Sequence, residues 1–244
     1  MTTGTPSTRD LEVCLLGTFR FHAPDSRLPA LAGGSQRLLA LLGLRDRALM
    51  RAGVAGTLWP ESTEEHAHSS LRSALGRLSR VTREAVVVTP LDLCLAERVG
   101  VDIREARALA HRLLDPGAAV TDADLGSHAI RSLSVDVLPD WYDDWVLVEA
   151  EEWRQLRLHA LEAAAERLLS GGRFGDATGA ALAAVRVEPL RESARAAVIR
   201  VHLAEGNQSE ALREYARYRT LLRAELGLEP TEQLHGMIAD LEPR

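Results

Sequence analysis

The sequence predicts a mainly α protein with a small β part: an N-terminal winged helix-turn-helix followed by an all-α, tetratricopeptide-like region. Three observations support this. The first hundred residues order themselves as strand pair, three short helices and hairpin. Gly172 and Gly206 open similar phrases 34 residues apart. The composition is rich in Ala, Leu and Arg with only 4% aromatic residues, a mixture that favours helix. A chain of 244 residues is long enough to bury a core without disulfides or metal.

Residues 1–10 are polar and read as a flexible tail. Val13, Leu15, Phe19 and Phe21 alternate with other residues as strands do, and Gly17 marks a bulge or turn between them. A loop with Pro24, Pro29, Gly33 and Gly34 follows. Ser35 is placed to cap a first helix from Gln36, whose buried side carries Leu38, Leu39, Leu41 and Leu42. A second helix stops at Leu58-Trp59 before Pro60. The third spans 66–80, with Ala67, Leu71, Ala74, Leu75 and Leu78 on one apolar stripe. Val86–Val88 and Leu93–Leu95 flank a turn at Pro90-Leu91-Asp92 and read as a hairpin.

Helical segments dominate from Val101 onward. Asp102 caps a helix to about Leu114, and a further helix is expected over 122–133. A long one follows the stretch of Trp141, Tyr142, Trp145 and Trp153 and ends at Gly171-Gly172. The 34-residue offset also relates Ala177 to Ala211, Ala181 to Tyr215 and Ala184 to Tyr218, with Gly at the helix turn and Ala at the close crossing. The expected division is a tail over 1–10, a DNA-binding domain over 11–98 and a helical-repeat domain over 99–244.

The third helix carries the functional signal. Its outward side bears Ser69, Ser73, Gly76 and Arg80, flanked by Arg72 and Arg77, and no acid occurs between residues 67 and 83. Arginine offers a bidentate fork to guanine or a fixed charge to phosphate. Serine hydroxyls donate to phosphate oxygens, and small residues let a helix sit deep in the major groove. An interior Gly76 would cost about 1 kcal/mol of helix stability, which close approach to DNA would explain. The competing reading is a solvated amphipathic helix. The candidate DNA-contact set is Ser69, Ser70, Arg72, Ser73, Gly76, Arg77, Arg80 and Arg83, with Arg37 from the first helix.

Charge is uneven. Residues 1–100 hold 12 Arg against 10 acids, and residues 101–244 hold 17 against 25. This fits a nucleic-acid-facing half joined to an acidic, partner-facing half. Cys14 and Cys94 form no disulfide framework and are expected to be buried on strands. No metal-ligand spacing, cofactor motif or hydrolase elbow is present, no apolar run suits a membrane span, and a cytoplasmic location is expected. Asp140, Asp143, Asp144, Glu149, Glu151 and Glu152 form an acidic cluster, read as a solvated face, as first-turn acids near a helix N-terminus, or as a contact surface for a basic partner. Trp141, Trp145 and Trp153 are expected to close the core between the two domains.

These residues together resemble the Streptomyces antibiotic regulatory protein family. The resemblance rests on Leu16-Gly17-Thr18-Phe19, Gln36-Arg37-Leu38-Leu39, Leu58-Trp59-Pro60-Glu61 and Ser70-Leu71-Arg72-Ser73-Ala74-Leu75. More specific runs follow: Leu138-Pro139-Asp140-Trp141-Tyr142, Glu188-Pro189-Leu190-Arg191-Glu192, Glu210-Ala211-Leu212-Arg213-Glu214-Tyr215 and Glu225-Leu226-Gly227-Leu228-Glu229-Pro230. It implies an OmpR-type winged helix joined to a bacterial transcriptional activator domain, and a transcription activator of a biosynthetic gene cluster. Double-stranded promoter DNA with direct repeats, a side-by-side dimer, and the sigma, alpha C-terminal and beta subunits of RNA polymerase are the implied partners. The sequence departs from the family at Gly76 and Ser79, and at the wing, where Asp92 would repel phosphate. A helical-repeat interaction regulator that no longer binds DNA is the alternative.

Overall fold

A computed structural model of the chain describes residues 11–23 and 31–241. The expected tail over 1–10, and Pro24 and Pro29 of the expected loop, lie outside the described residues. Strands β1 (Leu11–Cys14) and β2 (Arg20–His22) precede helix α1 (Gly33–Leu44). Then come β3 (Leu49–Met50), α2 (Arg51–Leu58), α3 (Glu64–Gly76), α4 (Arg80–Arg83), β4 (Val86–Val88), β5 (Asp92–Leu95) and β6 (Val99–Val101). Helices α5 (Asp102–Leu114), α6 (Ser127–Leu133), α7 (Asp144–Ser170), α8 (Phe174–Val187), α9 (Glu192–Ala204), α10 (Gln208–Leu226) and α11 (Glu232–Gly236) complete the order. The chain divides into two compact units. One is Met1–Glu105 with Asp136–Glu151, and the other is Ala106–Val135 with Glu152–Arg244.

The first unit contains two three-stranded sheets, ordered β2-β1-β6 and β3-β5-β4. Val13 pairs with Phe21 across an antiparallel ladder and with Val101 across a parallel one. Gly17, at φ 79°, makes the turn between β1 and β2. The core comes from α1, where Leu38, Leu39 and Leu42 are fully buried, together with Val13, Leu15, Leu58, Leu71 and Leu93. Gly43 packs closely here: a Cβ there would sit 2.9 Å from Leu15 Cδ1, and the Leu15 side chain would have to shift. Arg104 donates to the carbonyls of Leu42, Gly43 and Arg45, satisfying the orphan acceptors at the end of α1.

Residues 136–151 are woven into this unit. Gly17 N donates to Asp136 O at 2.7 Å and Leu138 N to Leu15 O at 3.0 Å. Phe19 stacks on Trp141 at 6.0 Å between ring centroids, and Trp141 meets Trp145 edge-on at 6.3 Å. Two carboxylates of the acidic cluster are engaged in ion pairs: the partly exposed Asp143 with Arg37, and the buried Glu149 with Arg45. A buried charge needs such a partner, because desolvation otherwise costs more than the fold can supply. Asp102 accepts from the backbone N–H of Leu15, Leu16 and Ile103. Its burial raises the carboxyl pKa against the pull of those bonds. Cys14 is buried and its thiol is pushed up to about 11, mainly by that burial, whereas Cys94 is only half-buried.

The second unit displays the 34-residue period in its backbone. Gly172 N donates to Leu169 O and Arg173 N to Leu168 O, while Gly206 N donates to Leu203 O and Asn207 N to His202 O. Both glycines have left-handed φ, 71° and 85°, as such helix-ending caps demand. Ala177 and Ala211 are both fully buried at the crossings after these turns. The repeats differ where Ala181 and Ala184 give way to Tyr215 and Tyr218, which fill a core with Ile199, Leu222, Leu234 and Ile238. Trp153 is buried in this unit, its Nε1 donating to Val135 O at 2.9 Å. The helix expected from residue 122 starts at Ser127 instead, because Thr121 and Asp124 bond each other in a preceding turn. An Arg112 hydrogen bond at 2.6 Å helps hold the Asp124 carboxyl down at about 2.

Candidate nucleic-acid interface

Helix α3 starts two residues earlier than its apolar stripe suggests. Thr63 caps it by accepting from His66 N, and Glu64 and Glu65 occupy the first turn, where the helix dipole favours acids. It also stops earlier, at Gly76 rather than Arg80. Ser79 adopts an extended ψ of 164° and caps the next short helix, accepting from Thr82 N at 3.2 Å. Gly76 is therefore a terminal residue, not an interior one. A Cβ there would meet nothing within 4 Å, so the fold itself does not require glycine.

The stripe of Ala67, Leu71, Ala74, Leu75 and Leu78 is buried as the spacing predicts. Ser69, Arg72, Ser73, Gly76, Arg77 and Arg80 are exposed, and Ser70 is half-buried. Two ridges follow from helical spacing, one through Ser69, Ser73 and Arg77, the other through Arg72 and Gly76. Among the described residues no carboxylate pairs with Arg72 or Arg77. Arg80 lies on α4, its side chain 95% exposed and 3.9 Å from Glu84.

Two candidates are engaged elsewhere. Arg37 is ion-paired with Asp143 and only 30% exposed, so the guanidinium expected on DNA is held by a carboxylate. Arg83 donates to Val86 O at 2.9 Å and closes the turn into β4. Neither engagement was readable from local spacing, since Asp143 lies far along the chain and α4 ends only after the break at Ser79. Ser35 does not cap α1. That helix begins at Gly33 with Ala32 as its N-cap, and the buried Ser35 hydroxyl donates to Ala74 O at 2.9 Å, tying α1 to α3.

Between these two helices lies a cleft of about 330 Å³, lined by Ala32 at the N-cap of α1, Gly34 and Ser35 of its first turn, Trp59, Ser69, Ser70, Ser73 and Ala74 of α3, and Arg77 at the C-cap of α3. Sequence reasoning missed Trp59 and Gly34 as its walls.

The wing is apolar at its tip rather than acidic. Thr89 Oγ1 accepts from Leu91 N and Asp92 N, Asp92 is half-buried at the start of β5, Leu91 is 71% exposed, and Met50, paired with Asp92 across the sheet, is 67% exposed. Among the described residues, no three His, Cys, Asp or Glu side chains gather as a metal site, and no helix is long and apolar enough to cross a membrane.

The sequence profile of the bacterial transcriptional activator domain matches residues 101–241. Regulatory protein AfsR of Streptomyces griseus is 28% identical over 98% of this chain and 25% of its own length. The protein of the same name from Streptomyces coelicolor is 29% identical over 94% of this chain and 24% of its own. The chain thus spans about a quarter of each curated relative. In fold it is similar to Mycobacterium tuberculosis EmbR, solved in complex with a low-affinity phosphopeptide, with a TM-score of 0.69 at 23% identity, covering 96% of this chain and 66% of that one.

Proposed function

The chain belongs to the bacterial transcriptional activator domain family, as its resemblance to the Streptomyces antibiotic regulatory proteins implies, and we propose that this transcription regulator works by binding promoter DNA through α3. The family is one of regulators, not an enzyme class. The observation that carries the proposal is the solvent-facing side of α3: Arg72 and Arg77 among Ser69, Ser73 and Gly76, with no acid from residue 67 to 83. Arg72 is the base reader, Arg80 a peripheral phosphate contact, and Arg37 and Arg83 keep their structural partners. Residues 11–98 act as the DNA-binding domain and 99–244 as the activator domain, which recruits RNA polymerase through its sigma, alpha C-terminal and beta subunits. Two protomers bind side by side on direct repeats near the promoter of a secondary-metabolite gene cluster.

The exposed Met50 and Leu91 favour a protein contact for the hairpin, since an apolar tip gains nothing from phosphate. Footprinting on the promoters flanking the gene tests the proposal. Protection of a repeated segment, in the presence of excess competitor DNA, is the expected result. Absence of protection at every salt concentration would instead favour a regulator that works by protein contacts alone.

A further inference from the structure

A hollow of about 450 Å³ lies where the end of α1, strand β3 and helix α2 meet, and no residue of α3 lines it. Its apolar part has depth. Leu41 and Val54 are buried at its base, Leu49 is half-buried, and Met50 stands exposed at its rim. A flexible thioether side chain left in water packs readily against an apolar guest. Gly53, in the first turn of α2, keeps the hollow open: a Cβ there would meet nothing within 4 Å.

The charged part has one sign. Arg45 and Arg47 line the hollow, and among the described residues no carboxylate does. Arg45 is held by the buried Glu149, so that pair is neutral as a whole. Arg47 donates to the neighbouring Ala48 O at 3.3 Å, and no described carboxylate pairs with it. Asp46, between the two arginines in sequence, is paired with Arg104 at 3.3 Å. Arg104 also takes the carbonyls of Leu42, Gly43 and Arg45, which blunts the negative end of α1. The balance is one uncompensated guanidinium beside an apolar floor. A dianionic phosphate would leave a charge unmatched against Leu41 and Val54, whereas a single carboxylate matches Arg47 and fits its fork.

From this arrangement we infer that the hollow binds a small carboxylic acid with an apolar body, its carboxylate on Arg47 beside Arg45 and its hydrocarbon against Leu41, Leu49, Met50 and Val54. Pockets of this size, largely apolar with a few convergent polar groups, are the kind that take small ligands. Nothing in this depends on DNA binding. Because α3 contributes no residue to the hollow, the acid and a duplex occupy different surfaces.

The test titrates the full chain, isotope-labelled at its methionine methyl groups, with octanoate and with octanol, which has the same chain length and no charge. Met50 reports on the hollow, and Met237, in the other unit, is the internal control. A Met50→Leu variant assigns the reporting signal. Octanoate is expected to move the Met50 signal saturably and leave Met237 in place, with octanol binding about tenfold more weakly. Arg47→Ala should weaken octanoate about tenfold and leave octanol unchanged. Gly53→Leu fills the hollow and replaces a helical glycine with a better helix former, so it should fold and bind neither probe. Melting curves confirm that the variants fold. A Met50 signal unmoved by octanoate would overturn the inference. So would equal affinity for acid and alcohol, since the hollow would then hold no seat for a carboxylate. Octanoate binding that survives Gly53→Leu undiminished would also overturn it, by placing the acid elsewhere.

Discussion

Arginine is the basic residue throughout this chain, yet the helical repeats and the outer face of α3 use it differently. In the helical repeats it is mostly spent on carboxylates. Arg154 meets Glu188 at 2.6 Å, Arg191 meets Glu162 at 2.8 Å, Arg195 meets Glu214 at 2.5 Å and Arg213 meets Glu210 at 2.9 Å. On α3, Arg72 and Arg77 stand in a stretch without a single acid, and no described carboxylate reaches them. The first pattern ties helices together, as at Arg154–Glu188, Arg191–Glu162 and Arg195–Glu214, and leaves little field outside. The second leaves guanidinium groups uncompensated in water, where they give the fold little and remain available to an outside anion. In an acidic protein with 35 carboxylates against 29 arginines, this acid-free arginine surface is the one the proposed function assigns to a polyanion.

The contrast can be broken by converting one pattern into the other. Ser73→Glu places a carboxylate four residues before Arg77, the spacing at which helix pairs form. Loss of the Arg77 contact and repulsion of the nearby phosphates together should lower duplex affinity by about a thousandfold, roughly 4 kcal/mol. The helix should stay as stable or gain a few tenths of a kcal/mol. Gel-shift titration and thermal melting check the two halves of this outcome. Undiminished binding would mean that the α3 surface is an ordinary solvated face.

Arg195→Ala sharpens the other side. Its guanidinium is 11% exposed, pairs with a Glu214 side chain 8% exposed, donates to Pro189 O and lies over the Tyr218 ring at 5.7 Å. Removing it strands a buried carboxylate with, among the described residues, only the exposed Arg217 left 3.8 Å away. The expected loss is about 3 kcal/mol of stability, on the order of 10 °C in melting temperature. Duplex affinity below the transition should not change. A fall in affinity with stability intact would show that arginines of the repeats also contact DNA, and the contrast would fail.

What could be read in advance follows the same line between local and distant causes. The 34-residue offset, the apolar stripe of α3 and the hairpin at Val86–Leu95 are written within short windows, and the backbone repeats the turns at Gly172 and Gly206 bond for bond. Strands as short as Leu49–Met50 and Val99–Val101 have too few residues to show a period, so they were not legible. The end of α3 was misplaced because the apolar spacing runs on through Leu78, whereas Ser79 gains more by capping α4 than by continuing the helix. The partners of Arg37, Arg45 and Ser35 come from remote segments, and only the folded chain reveals that Arg37 is already occupied. The candidate surface was thus legible as a list of outward residues. Its division into a cleft side and an open side was not.

If Arg72, on the outer face of α3, recognises promoter sequence, wild type and Arg72→Ala must differ in affinity for a promoter site but not for a scrambled duplex under identical salt. The expected loss is about 10- to 100-fold on the promoter site alone, collapsing the ratio between the two duplexes. An unchanged ratio in a folded variant would show that Arg72 does not read the bases.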